Sequence, residues 1–396
     1  MNISKHKNLW IIASFNLDRY KAKSISIIVP LIMIMAVASF MMFTRGGFIK
    51  DAEMARAFLP DITVQGLEAG RISKISLDLK EEIKKIPHVK TVVPRVWGYI
   101  PLQTEVGDVA FTLMGLDIAN MIKDDNFPWT VESGSFFVPE DRGKTILGDG
   151  VAQSLDANVG DIIQLEDTLG NKGEFKIIGI LKNIVQVYST DMIIVPMQDA
   201  RDFFSIGNNF ASDLLVYTDK AENADLVAMM IANSYKNTRV ITAKALTNLI
   251  KEAFGRRSGT FQAMWLMLLV TVLLLLWAQS SHISIDVSKE IGILKAIGWH
   301  TGDIIETKIM ESLILAILGT AIGILIGFIY ALMGTPGISG YCIGCVSIYP
   351  KFPVPVHCDL NSIFLLFVLG VVPFIGISAF PAWLAGSIDP DEAIRG

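Results

Sequence analysis

Four long apolar runs separated by one broad polar region organise this 396-residue chain. Residues 25–44, 260–280, 309–333 and 361–385 are each close to unbroken hydrophobic text. About 20 helical residues are what a ~30 Å hydrocarbon layer requires. None of the runs carries an ionisable side chain in its middle; Lys308 and Glu311 stand at an end, where long side chains reach the interface. That placement argues against a proton or ion relay through the bilayer. Residues 45–259 follow other periods. Asp61–Gln65 and Val89–Val93 alternate as strands, and Leu77–Ile86 between them has the spacing of an amphipathic helix. From Thr145 to Leu181 short strands are punctuated by Gly and Asp turns, with strand–turn–strand units at NVGDIIQL and LGNKGEF. Asp213–Tyr217 predicts a further strand, Ala224–Ala232 a helix and Thr238–Ile241 a short strand. The expected fold is an α-helical membrane protein with four transmembrane helices. A large α/β + β extracytoplasmic domain is inserted between helices 1 and 2, with a β-rich lobe over about 126–211. Residues 242–258, with Leu246, Ile250 and Phe254 on one face, predict a stalk helix continuous with the second run.

Composition and charge fix the orientation. The chain is 52% hydrophobic with a mean hydropathy of +0.48, too apolar for an ordinary soluble protein and too mixed for one wholly inside a membrane. Lys5, Lys7, Arg19, Lys21 and Lys23 precede the first run, which places residues 1–24 in the cytoplasm. A cleaved signal peptide is the rival reading. The long basic region, with no small-x-small site after Phe43, favours a retained anchor. Asn8–Tyr20, with Trp10 and Phe15, is amphipathic and predicts an elbow helix lying in the interface among membrane lipids. Four spans then put both termini, the 281–308 loop and the 386–396 tail in the cytoplasm, and the 334–360 loop outside. The location expected is a bacterial-type cytoplasmic (inner) membrane, crossed several times. A net charge of −5 makes nucleic acid an unfavourable partner.

Between the second and third runs, SKEIGILKAIGW (288–299) places Ile291, Leu294 and Ile297–Gly298 along one helical face, with Lys289, Glu290, Lys295 and His300 on the rest. A short amphipathic helix tethered at both ends suits docking and the relay of movement better than holding a substrate. An ordinary interfacial loop helix is the bland alternative. The run resembles the signature of FtsX-like ABC-transporter permeases: basic-Glu-Ile-Gly-hydrophobic-hydrophobic-basic-Ala-hydrophobic-Gly ahead of the third span. Ser387–Arg395 is similar to that family's closing Asp-Pro-x-Glu-Ala-hydrophobic-Arg tail. IPHVKTVVPR (86–95), LGDGVAQSLDANVGDIIQL (147–165) and FKIIGIL (175–181) resemble the periplasmic core domain of macrolide-exporter-type (MacB-like) and lipoprotein-release-type permeases. The resemblance implies an α/β lobe built from both ends of 45–259, a dimer with a second permease copy or paralogue, and a cytoplasmic ABC ATPase in two copies. It implies that Lys289, Glu290, Ile291, Gly292, Lys295 and Gly298 face that ATPase, supported by Asp389 and Glu392. It also implies mechanotransmission: ATP and Mg are bound by the partner subunit, and movement passes along stiff stalks to cargo on the outer side.

Three further features bear on chemistry. Arg142-Gly143-Lys144-Thr145 contains GKT, yet a phosphate-binding loop needs glycine at 138, where Val stands; the motif reads as a polar turn before a strand. The chain therefore offers no ATP site of its own and no cluster of catalytic groups, and it is not expected to be an enzyme. Gly319, Gly323 and Gly327 form two overlapping GxxxG units, a signal for close helix packing within the subunit or against a second copy. Pro373 and Pro381 are expected to bend the fourth helix. All three cysteines fall in one outer loop, Cys342-Ile343-Gly344-Cys345 and His357-Cys358. On an oxidising face they suit a disulfide with one thiol left over, a soft-metal site of Cys342, Cys345, Cys358 and His357 for Cu(I) or Zn(II), or thiol exchange. Two other functions follow from these features: a metal- or thiol-handling accessory transporter serving an extracytoplasmic metalloprotein, or a non-transporting regulator of an outer-face partner.

Overall fold

The computed structural model describes all residues but 1–2, 57–58, 105–106, 118–129, 168, 182–189, 254–258, 282–291, 334–354 and 388–396. The chain divides into two compact units. One comprises Met1–Gly47, Gly255–Ile343 and Val356–Gly396; the other is made mainly of Phe48–Phe254.

The first unit is helical. It contains α1 (Ile3–Arg19) and α2 (Lys21–Ala55, whose last turns belong to the second unit), with α8 (Gly259–Ser281), α9 (Thr301–Leu332) and α10 (Leu360–Ser387) later in the chain. Helices thus run through all four apolar runs. Among the described residues two are long and apolar enough to cross a membrane, Ser24–Ala55 and Thr301–Leu332; Trp265–Leu274 and Leu360–Gly376 are shorter apolar stretches. Two bounds differ from the hydropathy reading. α2 runs on to Ala55 rather than stopping at 44, and α9 starts at Thr301 rather than 309, because helical hydrogen bonding continues into polar text that hydropathy excludes. α10 continues through Pro373 and Pro381. The core gathers Leu31, Met35, Met42 and Phe43 of α2 with Val272, Ala316, Leu366 and Phe374.

The glycine stripe of α9 lies against α2 of the same chain. A methyl group on Gly319 would fall 2.8 Å from Leu31 Cδ2, and one on Gly323 would fall 2.6 Å from Met35 Cβ and 2.8 Å from the Ile32 carbonyl oxygen. At Gly327 it would meet Ser39 Oγ and the Ala36 carbonyl. The three contacts step along α2 by four residues, Leu31, Met35 and Ser39, so one face of each helix is matched. Ser39, fully buried, donates to the Ala36 oxygen at 3.1 Å.

In the second unit eleven strands form one sheet. In chain order they include β1 (Ile62–Glu68), β2 (Arg71–Ser73), β4 (Val89–Thr104), β5 (Gly107–Leu116), β6 (Val131–Gly134), β7 (Lys144–Leu147), β8 (Ile162–Glu166), β9 (Lys172–Leu181), β10 (Met192–Pro196), β12 (Asp213–Thr218) and β13 (Thr238–Thr242). The order is β13-β1-β12-β4-β5-β10-β7-β9-β6, with β2 on β1 and β8 on β9; β3 (Ile75–Ser76) and β11 (Phe210–Ala211) pair separately. Three cores share this sheet, the smallest of them Met114, Leu116, Phe137, Ile146, Leu181, Met192 and Ile194, beside two larger ones. Ile62, Val64, Val92, Leu214 and Val216 pack with Ile83 of α3 (Asp78–Ile83) and with Val227 and Ile231 of α6 (Ala224–Ser234). Val96, Ile100, Phe111, Leu113, Leu147 and Ile193 form the other with Val151 of α4 (Asp149–Leu155) and Ala200 of α5 (Met197–Phe203). The first lobe does take its strands from both ends of the segment.

β4 belongs to both lobes. Its residues Val89–Arg95 pair with β12, and Val96–Thr104 pair with β5. β4 thus runs from one core into the other, with Val92 in the first and Val96 and Ile100 in the second, and Pro94 and Gly98 stay within the paired strand where the lobes meet. The predicted helix over Leu77–Ile86 is shorter, Asp78–Ile83. Helix α7 (Ala243–Ala253) occupies the stalk segment, and its expected continuity into α8 falls on 254–258, outside the described residues. In the GKT turn, Arg142 pairs with Asp199 and Asp202, Lys144 pairs with Asp141, and Thr145 Oγ1 donates to the Ile194 oxygen at 2.9 Å. Those groups are occupied in a polar turn before β7.

Asp213, fully buried, sits at the lobe junction. It accepts from Arg95 Nε at 3.0 Å, Arg95 Nη2 at 2.7 Å and Trp97 Nε1 at 2.8 Å. Asp213→Ala would remove the buried carboxylate that Arg95 and Trp97 donate to and should cost about 3–5 kcal/mol, while replacing both partners by apolar residues (R95M with D213L) should cost less. Hydrogen exchange of the β4 and β12 peptides measures both. At the start of β4, Asp219 accepts from His88 Nδ1 at 3.0 Å and Asn223 Nδ2 at 2.8 Å, and the His88 contact chiefly holds its carboxyl down to about 2. A depressed carboxylate stabilises above its unfolded value of 3.8 and loses that contribution as pH falls towards 2. Asp219→Asn should flatten the drop in melting temperature across that window; an unchanged drop would assign it to other groups.

Candidate functional site

The coupling stretch is described from Gly292 onward; Lys289, Glu290 and Ile291 lie outside the described residues, as do Asp389 and Glu392 of the tail. Residues 292–296 are helical and end in a closed turn. The Gly298 amide donates to the Lys295 oxygen at 3.0 Å, and the Trp299 amide reaches back to the Leu294 oxygen at 3.1 Å. Gly298 has φ +99°, a conformation side chains resist. The two bonds and the left-handed glycine make a Schellman motif, which satisfies carbonyls that a helix end otherwise leaves open. Its usual hydrophobic contact is also present: Leu294 and Trp299 both pack on Ile304, which is buried in the first turn of α9. Gly298 therefore serves by turning the chain.

This turn decides which side chains face out. Gly292 is buried, Leu294 and Lys295 are half-buried, and Ile293 and Ile297 are 56% and 69% exposed. The single apolar stripe read from the sequence thus divides. Leu294 turns inward to α9, while Ile297 pairs with Ile293 at i, i+4 on the outer surface. His300 caps α9 through its backbone oxygen, which accepts from the Asp303 amide at 2.9 Å.

A polar clasp that sequence reasoning missed holds α1 to the same stretch of α9. His6 pairs with Glu306, Asn16 Nδ2 donates to Glu311 at 2.8 Å, and Lys308 Nζ donates to Glu311 at 2.8 Å. Leu9 and Ala13 of α1 are buried. The signal available was Asn16, a polar residue inside the apolar periodicity of α1.

In the outer loop, Cys342 and Cys345 lie outside the described residues. Cys358 is exposed and bonded to no other cysteine among the described residues; partial burial and the neighbouring Asp359 charge raise its thiol above the usual range. The His357 amide donates to the Phe43 oxygen at 3.0 Å, which ties the loop's end to α2. Among the described residues no three His, Cys, Asp or Glu side chains gather as metal ligands. The choice between disulfide and metal rests on the two cysteines not described.

Family models agree with the geometry. The MacB-like periplasmic core domain matches residues 25–234, and the FtsX-like permease C-terminal domain matches 261–390. This chain belongs to the FtsX-like, MacB-like family of ABC transporter permeases. An uncharacterized ABC transporter permease of Methanocaldococcus jannaschii is 24% identical, with 96% of each chain covered. The ABC transporter permease YtrF of Bacillus subtilis is 24% identical over 74% of this chain and 77% of its own. A candidate hemin transport system permease protein of Staphylococcus epidermidis is 25% identical over 59% and 60%. Among solved structures, the extracellular domain of the noncanonic ABC-type transporter YknZ from Gram-positive bacteria is 17% identical, covering 46% of this chain and 99% of that one with a TM-score of 0.33. As a permease of this family the protein is membrane-embedded and works with a cytoplasmic ATPase.

The turn at Gly298 yields a test. A β-branched residue is strained at φ +99°, so Gly298→Val should open the motif and raise hydrogen exchange across 292–304. Gly298→Asn, which tolerates left-handed backbone, should stay near wild type. Equal protection in both variants would show that the turn does not depend on this glycine.

Proposed function

We propose that the chain is the membrane subunit of an ABC transporter that turns ATP hydrolysis in a separate cytoplasmic ATPase into mechanical work outside the membrane. The reading rests on one observation above the others: Ile293 and Ile297 are presented on a short helix whose end is locked onto the first turn of α9. Such a surface offers a partner an apolar hold, and a push on it meets a fully hydrogen-bonded turn. Lys295 and, by family resemblance, Lys289, Glu290 and Ile291 complete the ATPase-facing set, with Asp389 and Glu392 in support.

In this proposal α2, α8, α9 and α10 are four spans, both termini and the 281–300 stretch are cytoplasmic, and Phe48–Phe254 lies outside. Two permease copies, like or unlike, engage two ATPase copies. α2, continuous from Lys21 to Ala55, is one stiff connector and α7 is part of the other. Movement carried by them works on lipoprotein, lipid or small-molecule cargo from the outer side rather than through a pore.

Co-expression with candidate ATPases and purification of the membrane complex tests this. Ile293→Glu with Ile297→Glu places two charges at the surface and should cut copurification or coupled hydrolysis at least tenfold, as loss of a central apolar anchor does. Glu290→Lys should weaken it as well. Wild-type coupling in all of these variants would refute the coupling-surface assignment. In the same preparations Gly323→Ile, which drives a branched side chain into Met35 and the Ile32 carbonyl, should cost about 1–3 kcal/mol of helical-unit stability, read as a lowered melting temperature.

A further inference from the structure

A groove of about 380 Å³ opens on the helical unit where the end of α1, the start of α2 and the flank of α9 meet. Leu17, Ile25, Ile314 and Leu318 form its apolar walls, and Asp18 and Lys21 stand on its rim. The two ends differ in polarity. Glu311, tied to Asn16 and Lys308, marks the polar level of α9; Ile314 and Leu318 follow one and two turns deeper. On α2 the order is the same, with Lys21 first and Ile25 one turn on. Apolar depth beneath a charged mouth is the polarity profile of one lipid at a membrane surface.

The mouth carries one charge of each sign. Asp18 and Lys21 are 73% and 69% exposed and form an ion pair with each other at 3.0 Å; an exposed pair of this kind holds weakly, so a headgroup carrying both charges can replace it. A phosphate would take Lys21 and a primary ammonium would take Asp18. A purely anionic headgroup would leave Asp18 facing like charge. We propose that this groove binds a phospholipid whose headgroup combines a phosphate with a primary ammonium, phosphatidylethanolamine being the type, its acyl chains running along Ile25, Ile314 and Leu318. The site rests on the cytoplasmic placement of α1 in the function proposed above, but its test does not involve an ATPase. Bound lipid at this point would wedge α1 and α9 together and so bear on the clasp that holds the coupling turn.

Native mass spectrometry of the full chain tests the assignment, in detergent mixed with equal amounts of phosphatidylethanolamine, phosphatidylcholine and phosphatidylglycerol. Wild type should retain the ethanolamine lipid about threefold to fivefold over the other two, the scale of an exposed ion pair. Asp18→Asn should erase the preference over phosphatidylglycerol. Lys21→Gln should reduce retention of all three. Leu318→Trp, which fills the groove from a half-exposed position, should remove the bound lipid while the melting temperature holds. Equal retention of the three lipids by wild type, or unchanged retention in Leu318→Trp, would show only unselective lipid around the helices and overturn the proposal. Loss of ATPase coupling with lipid selectivity intact would count against the permease mechanism and leave this site standing.

Discussion

Close backbone approach between α2 and α9 is the constraint on which the helical unit depends. In lipid, apolar side chains gain little by leaving their surroundings, so helices associate through van der Waals contact and short-range polar bonds. Gly319, Gly323 and Gly327 remove the side chains that would hold α9 away, and Leu31, Met35 and Ser39 fill the space at successive four-residue steps. Phe43 against Phe328, with ring centroids 5.7 Å apart, extends the same seam. α10 meets the other side of α9, where a methyl on Gly370 would lie 3.0 Å from Thr320 Cγ2. α9 is thereby fixed along its length, and whatever is attached to its first turn is fixed with it.

The outer unit solves a different problem in water, where apolar burial supplies the drive. The two larger of its three cores meet on one strand. β4 gives them one uninterrupted strand, with Val92 in one core and Val96 and Ile100 in the other. The Arg95–Asp213–Trp97 network sits where the pairing partner of β4 changes from β12 to β5. A buried ion pair adds little net stability, but it disfavours any register that strands one of its charges. Its position at the change of partner suits that task.

Much of this was legible in the sequence, and what was not has physical reasons. The apolar runs, the strands at Asp61–Gln65 and Asp213–Tyr217 and the β8–β9 hairpin follow from local periodicity and turn chemistry. The lobe boundary does not, because β4 changes partner within one strand, and Pro94 and Gly98 beside the change, which read locally as breaks, leave it paired. Hydropathy stopped the first helix at 44, though α2 continues to Ala55, since Arg45 and Lys50 lower the average without breaking a hydrogen bond. At the coupling stretch, the spacing of Leu294 and Ile297 suggested one face. The left-handed turn at Gly298 sends them to different environments, and glycine identity alone does not announce its φ. The clasp of His6, Asn16, Glu306 and Glu311 joins residues some three hundred positions apart, beyond the reach of any window.

The Schellman turn fixes the end of the helical stretch that closes at 296. Gly298 supplies the reversal, the Trp299 and Gly298 amides close the open carbonyls, and Leu294 with Trp299 anchors the turn on Ile304. Displacing Ile293 and Ile297 sideways then requires either breaking those bonds or moving the first turn of α9. α9 is itself held by α1 at one end and by α2 along the glycine stripe. In the mechanism proposed above, a surface backed in this way passes displacement on by packing and hydrogen bonds, without a titratable or nucleophilic group.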